Sequence, residues 1–488
     1  MSIELEKAHK YEKEEKNRIP AEEKPVFHVT PPIGWMNDPN GFSYYEGKIH
    51  LFYQYHPYTR DWGPMHWGHN VSEDMVFWDQ VPAAIAPDEE YDKQGCFSGS
   101  AIEKDGKHVL IYTGVSRQKL EDGTVEERQN QCIAYGDGTE YEKYAKNPVI
   151  TGEMLPEGCN RIDFRDPKVW KTDDTYYMII GNKNTDQKGQ VILFSSKDLE
   201  NWQFETILAE NNTGKIGTMW ECPDFFELDG KHFLICSPQN MKAEKYRFHN
   251  GHNSVYFAGD YDEAKHMFQK EEPQPLDYGL DFYAPQTTEL PDGRRIMIAW
   301  MKSWDANMIP DEQQWQGMMT LPRELRYRDG KLYQTPVHEL ERYRKNPCCL
   351  ENQKIAGRMQ FEGVKGRVMD FTVEITGGEF ETFGLELAHN DEYTTTYIYD
   401  KKQGTMEVDR TYCGVTKDVV CRRNWKISEG KESLKLRFIM DRNSMELFIN
   451  DGEQVVTTVI CTPQEADEIE FFCDGTAIVN IEKYDIMR

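Results

Sequence analysis

The sequence predicts an all-β chain, a five-bladed β-propeller followed by a C-terminal β-sandwich. Three observations predict it. A tight turn followed by an apolar strand recurs along the first two thirds of the chain. A shorter phrase ending on tryptophan repeats within the same region. After Pro336 the rhythm changes, and strands follow one another at short intervals.

Taken in order, residues 1–26 are charged throughout and read either as a short helix packed on the propeller or as a tail. The propeller is expected over 27–336. Its turns are Glu46-Gly47 before Lys48 to Tyr53, Asp105-Gly106 before Lys107 to Tyr112 and Asp173-Asp174 before Thr175 to Ile180. Asp229-Gly230 before Lys231 to Cys236 and Asp292-Gly293 before Arg294 to Trp300 complete the set. That makes five units roughly 55–70 residues apart, the range of propeller blades carrying loop insertions. Asp-Gly between β-rich runs favours type I′ hairpins, because glycine takes positive φ without strain, so each unit is a small antiparallel sheet. The second repeat pairs Ser72-Glu73-Asp74-Met75-Val76-Phe77-Trp78 with Ser196-Lys197-Asp198-Leu199-Glu200-Asn201-Trp202. Residues 337–349 are charged and read as a linker. From 350 to 488, runs such as Phe371 to Ile375, Leu434 to Met440 and Met445 to Ile449, with a turn at Asn450-Asp451-Gly452, have the profile of a β-sandwich.

The formal charge of −27 argues against nucleic acid or an anionic membrane surface as a partner. No apolar run is long enough to span a bilayer, the first residues lack the apolar stretch of a signal peptide, and a cytoplasmic location is expected. The eleven cysteines are odd in number and scattered, which fits reduced thiols rather than a disulfide framework. His66 and His69 have a spacing that could suggest a metal, but no further ligands accompany them, so neither metal nor cofactor is expected.

Three acidic phrases lie far apart: Asn37-Asp38-Pro39, Arg165-Asp166-Pro167 and Glu221-Cys222-Pro223. Proline stiffens the chain and pushes the residue before it toward extended geometry, which suits a carboxylate that must be aimed. Asp38, Asp166 and Glu221 precede the first, third and fourth strand repeats, so they are expected to meet at one mouth of the ring. Paired carboxylates are the chemistry of glycoside hydrolysis, one acting as nucleophile and the other as acid and then base. An isolated phrase of this kind is commonly just an Asx turn.

The order of these phrases resembles glycoside hydrolase family 32, the β-fructofuranosidases, invertases, fructan exohydrolases and sucrose-6-phosphate hydrolases. Phe52-Tyr53-Gln54-Tyr55, Trp62-Gly63-Pro64-Met65, Phe97-Ser98-Gly99, Asp281-Phe282-Tyr283-Ala284-Pro285-Gln286 and Leu321-Pro322-Arg323-Glu324 are similar to family signatures in the family's order, and Asp441-Arg442-Asn443-Ser444-Met445-Glu446 resembles its C-terminal phrase. The resemblance implies Asp38 as nucleophile, Glu221 as acid and base, with a raised pKa, and Asp166 as a carboxylate that holds sugar hydroxyls. It implies Asn37, Gln54, Trp62, Phe97, Ser98 and Arg165 around the fructosyl unit, and Asp281, Tyr283 and Trp300 toward the leaving group. His56 departs from the asparagine common in relatives.

The implied activity is retaining hydrolysis of terminal β-D-fructofuranosides such as sucrose and short fructo-oligosaccharides, with a small-molecule sugar as partner. Sucrose-6-phosphate hydrolysis is the rival, for which Arg60, Lys242, Lys245, Arg247 and Lys302 are candidate phosphate contacts. These cations are dispersed in sequence and form no compact phosphate motif, which favours the plain fructofuranosidase. Fructosyl transfer and a catalytically silent sugar-binding protein are further alternatives, the latter opposed by the presence of all three acids.

Overall fold

In each of the five repeat units the turn read from sequence joins the innermost strand of a blade to its second strand. The computed structural model describes residues 2–428 and 433–488, so Met1 of the expected N-terminal segment and 429–432 of the expected sandwich lie outside the described residues. The innermost strands are Gly34–Tyr45, Gly95–Lys104, Cys159–Thr172, Trp220–Leu228 and Tyr283–Glu289, in blades 1 to 5. Glu46 and Gly47, Asp105 and Gly106, and Asp229 and Gly230 all take positive φ, as type I′ turns require. The Ser-x-Asp repeat caps a turn between the third and fourth strands. Met75 and Leu199 donate their backbone N–H to Ser72 and Ser196, while Asp74 and Asp198 accept from the next residues.

Blades pack face to face, so both faces of each sheet are apolar. Leu110, Tyr112, Cys132 and Ala134 of blade 2 pack on Phe52 and Trp67 of blade 1. Their strand neighbours Val109, Ile111 and Ile133 pack the other way, on Phe164, Met178 and Phe194 of blade 3. Alternation with period two therefore reads as a continuous apolar run when both sides are buried. The ring closes where Gly34 and Trp35 of blade 1 pair in parallel with Trp315 and Gln316, which follow the second strand of blade 5.

Every innermost strand carries a one-residue bulge at the same level. The ladder slips between Met36 and Pro39, Phe97 and Gly99, Arg165 and Lys168, Glu221 and Asp224, and Tyr283 and Gln286. Four of the bulges hold a proline, which has no N–H to give to the ladder. The fifth holds Gly99, where a Cβ would come within 1.9 Å of the Ile111 carbonyl oxygen. Contrary to the extended geometry expected before proline, Asp166 (φ 66°), Cys222 (φ 47°) and Ala284 (φ 52°) are left-handed. The bulge turns the chain there, and it re-aims the side chains on either side.

Two residues beyond each bulge a buried polar belt crosses the axis. Ser100 donates to the Pro167 carbonyl (2.8 Å), and Gln286 donates to the Gly99 carbonyl (2.7 Å). Lys168 pairs with Asp224 (3.1 Å), which also accepts from the Thr287 N–H (2.6 Å). Beyond the belt the axis opens into a second cavity of about 400 Å³ lined by Lys168, Trp170, Phe225 and Arg295, among others, and none of the three carboxylates is on its walls.

The N-terminal segment is a helix, Ile3–Glu15, capped by Ser2 and laid against the outermost strand of blade 1, Asp79–Ile85. His9 meets the Ala83 carbonyl at 2.8 Å. Only part of the expected linker is one. His338–Tyr343 forms a 3₁₀ turn, while Arg344–Met359 is a sandwich strand paired along Glu468–Ile486. Among the described residues, the ten strands after Tyr343 form one sheet folded over a single apolar core, joined through the long strand Glu468–Ile486.

The two domains are tied by buried charge. His28 bridges Asp441 and Glu446 of the sandwich at 2.9 Å each, and Arg323 of blade 5 reaches Glu446 (2.5 Å) and Asp277 (3.1 Å). Burial alone would lower the pKa of His28, but the two carboxylates outweigh it and raise it to about 9. No helix among the described residues is long and apolar enough to cross a membrane.

Candidate active site

The bulges align equivalent positions from five blades around the axis. Asp38, Ser98, Asp166, Cys222 and Ala284 form one ring, and the residues just before them, Asn37, Phe97, Arg165, Glu221 and Tyr283, form the next. The three carboxylates thus come from innermost strands rather than from loops. Cys222 joins them: its N–H donates to Asp166 Oδ2 at 3.0 Å and its thiol to Asp38 Oδ2 at 3.5 Å, while its neighbour in sequence is Glu221. Burial and the three surrounding carboxylates push the thiol well above its ordinary pKa, so it remains an S–H donor.

Each carboxylate has a distinct setting. Asp38 Oδ2 accepts from Ser98 Oγ at 2.7 Å, and Oδ1 is buried without a hydrogen-bond partner among the described residues. Burial, then the charge of Glu221, raises the Asp38 pKa, opposed chiefly by the hydrogen bond from Ser98. Asp166 is raised to about 7, chiefly by burial, against the pull of Arg165. Glu221 Oε1 accepts from Arg165 Nε (3.2 Å) and Nη2 (2.9 Å), and Oε2 accepts from the Tyr283 hydroxyl at 2.6 Å.

Other expected residues sit around this cluster. Gln54 donates to Ser98 Oγ and the Cys96 carbonyl at 3.2 Å each, and Asn37 accepts from Trp35 Nε1 at 2.7 Å. Trp62 stands at the mouth, 49% exposed, edge-on to Phe97. Trp300 is fully buried and packs against Trp35 and the half-exposed Trp304, so it supports the wall from behind. Asp281 is a correction: it is buried, and its Oδ2 is taken by Arg410 and the Val459 N–H of the sandwich (2.8 Å), a tie between the domains. Burial lowers His66 to about 4 and His69 well below its ordinary value, and both are packed inside blade 1.

Several residues of the site had no weight in the sequence reading. Cys222 lies inside an acidic phrase and Trp35 two residues before another, and nearness to Glu221 and Asn37 was the available signal. Gln129 and Asp163, which hold Arg165 Nη1 at 3.2 and 3.1 Å, gave none. One group of side chains able to hold a metal, Glu386, His389 and Glu470, lies on the sandwich, and Arg358 already pairs with both glutamates.

Comparison with known proteins decides the family. The model for the N-terminal domain of glycosyl hydrolases family 32 matches residues 28–336, and that for the C-terminal domain matches 339–487. The chain belongs to glycoside hydrolase family 32. Among family members it is 38% identical to a sucrose-6-phosphate hydrolase of Escherichia coli over 461 residues, 93% of each chain. It is also 38% identical to an Escherichia coli raffinose invertase over 460 residues, again 93% of each. A family 32 β-fructofuranosidase from Bombyx mori superposes with a TM-score of 0.85 at 32% identity, covering 99% of this chain and 98% of that one. The chain is therefore a glycoside hydrolase, on the propeller and sandwich expected from sequence.

Proposed function

We propose that the protein is a retaining β-fructofuranosidase that releases terminal β-D-fructofuranosyl units from sucrose and short fructo-oligosaccharides. The observation that carries this reading is the convergence of Asp38, Asp166 and Glu221 around Cys222, with Asp38 held by Ser98 and Glu221 by Arg165 and Tyr283. Relatives named for action on sucrose 6-phosphate and raffinose support the substrate class.

In this reading the Asp38 carboxylate attacks the anomeric C2 as the bond to the leaving oxygen breaks, and Glu221 gives its proton to that oxygen. The product of the step is a fructosyl ester on Asp38. Glu221, now ionised, takes a proton from water, whose oxygen attacks C2 and restores the Asp38 carboxylate. Two displacements at C2 return the β configuration. The Tyr283 hydroxyl can donate to ionised Glu221 and accept from its protonated form, so it can follow both states. Asp166 supports the ring by accepting from sugar hydroxyls.

Two measurements test the roles. NMR of the first product is expected to give β-fructofuranose, and α-fructofuranose as primary product overturns the mechanism. Asp38→Ala is expected to lose nearly all turnover on every substrate. Glu221→Gln is expected to lose most on sucrose and much less on a fructoside with an activated leaving group, which needs no proton. Equal loss on both removes Glu221 from the acid role. A cytoplasmic location belongs to the same reading, supported by eleven cysteines that are all free, and cell fractionation tests it.

A further inference from the structure

Arg165 sets a difficulty for the acid it holds. It gives Nε and Nη2 to one oxygen of Glu221, and a guanidinium favours the ionised form of a carboxylate bonded to it. A general acid must instead keep its proton until the leaving oxygen takes it. The groups on the far side of the guanidinium therefore matter to the reaction.

The far nitrogen, Nη1, faces two side chains. Asp163 Oδ1 accepts from it at 3.1 Å and Gln129 Oε1 at 3.2 Å. Gln129 is neutral and buried, on the third strand of blade 2, and its amide is oriented: Nε2 donates to Glu127 at 3.1 Å, while Oε1 also accepts from the Phe164 N–H. Asp163 brings charge. Its second oxygen pairs at 2.8 Å with Lys183, on the second strand of blade 3. Burial would raise the Asp163 pKa, but Lys183 and Arg165 outweigh it and hold it below its ordinary value, so Asp163 is ionised. The backbone of Asp163 is pinned as well. Its N–H donates to Asn160 Oδ1 at 2.9 Å, and its carbonyl accepts from Asn182 Nδ2 at 2.5 Å.

Lys183, Asp163, Arg165 and Glu221 thus form a line of alternating charge, from partly exposed side chains of blade 3 to the acid of blade 4. The other titratable groups around Glu221 are Asp38 from blade 1, Asp166 from blade 3, Cys222 on its own strand and Tyr283 from blade 5, with His252 and Asp305 beyond the tyrosine. We propose that Asp163, held by Lys183, is a positioning residue for the general acid, which through Arg165 sets how firmly Glu221 keeps its proton. The negative charge of Asp163 offsets part of the guanidinium's, and Lys183 limits how much. The proposal rests on the fructofuranosidase reading, in which Glu221 gives a proton, and adds the groups that tune that step.

The test compares pH profiles of kcat/KM on sucrose and on a fructoside with an activated leaving group. The side chains of Asp163 and Lys183 are 28% and 20% exposed, so either can lose its partner without stranding a fully buried charge. Asp163→Asn keeps an oxygen for Arg165 Nη1 and removes the charge. The ionised form of Glu221 is then favoured, and the basic limb on sucrose is expected to move to lower pH by about half a unit. Turnover of the activated fructoside, which needs no proton, is expected to hold. Lys183→Met leaves the Asp163 charge unshared, and its basic limb is expected to move to higher pH. Limbs that stay in place while both substrates fall by one factor would mean a change of packing alone and overturn the proposal, as would limbs that move in the same direction. Glu221→Gln is the control. If it loses equally on both substrates, the assignment of Glu221 as acid fails and takes this inference with it. If it spares the activated fructoside while the Asp163→Asn and Lys183→Met limbs stay in place, this inference fails alone.

Discussion

At the scale of single residues the site works through differences between like groups. Asp38 and Asp166 occupy equivalent bulge positions in blades 1 and 3, yet Ser98 and Cys222 hold an oxygen of Asp38, while Asp166 takes a backbone N–H from Cys222. The nucleophile must be ionised, and burial followed by the Glu221 charge raises its pKa. The acid limb of the pH–rate profile is therefore expected above the ordinary carboxylate range near 3.8. It is a property of the coupled cluster, since Asp166 is raised to about 7 nearby. Ser98 bonds the ionised form. Removing that bond in Ser98→Ala disfavours the carboxylate, raises its pKa and moves the limb to higher pH. A pH–rate profile that moves the other way, or stays in place, contradicts this role for Ser98.

At the scale of the strand, the bulge is what turns a ladder into a site. A regular strand would alternate its side chains between the two blade faces, where apolar neighbours wait. The extra residue at Asp38-Pro39, Asp166-Pro167 and Cys222-Pro223 breaks that alternation and turns polar groups to the axis. The belt behind the bulges keeps five such strands in place, and the Lys168–Asp224 pair is its charged member. Lys168→Met would strand a fully buried carboxylate, and removing one partner of such a pair costs about 3–5 kcal/mol. Adding Asp224→Asn removes the stranded charge and still accepts from the Thr287 N–H, so the double variant is expected to recover most of the loss. Denaturant midpoints of the two variants check this, and equal destabilisation would deny the coupling.

At the scale of the whole molecule, two family phrases turn out to be architectural. Arg323 and the pair Asp441 and Glu446 meet His28 in a buried network between propeller and sandwich. His28 is raised to about 9, so its contribution to stability is full below its unfolded pKa of about 6.5 and is lost as pH rises through 9. His28→Asn is therefore expected to be less stable than the native chain at pH 7. The gap should close above pH 9, measured as denaturant stability against pH. A gap that persists or widens there would mean that His28 acts by shape rather than by charge.

The sequence by itself determined the class of the fold, the number of blades and the three carboxylates. Those properties reside in local chemistry: Asp-Gly turns, period-two apolar runs and short phrases whose members are neighbours along the chain. It also marked Gln54, Ser98, Phe97 and Arg165, because they stand in such phrases. Tertiary structure alone decided which groups touch. Gln129 and Asp163 support Arg165 from positions with no local signal, His252 meets Asp305 across 53 residues, and Asp281 pairs with Arg410, 129 residues on. The left-handed Asp166, set against the ordinary preference of a residue before proline, was likewise decided by the blade. Contacts between blades and between domains depend on register and packing over the whole ring, and no short stretch of chain contains them.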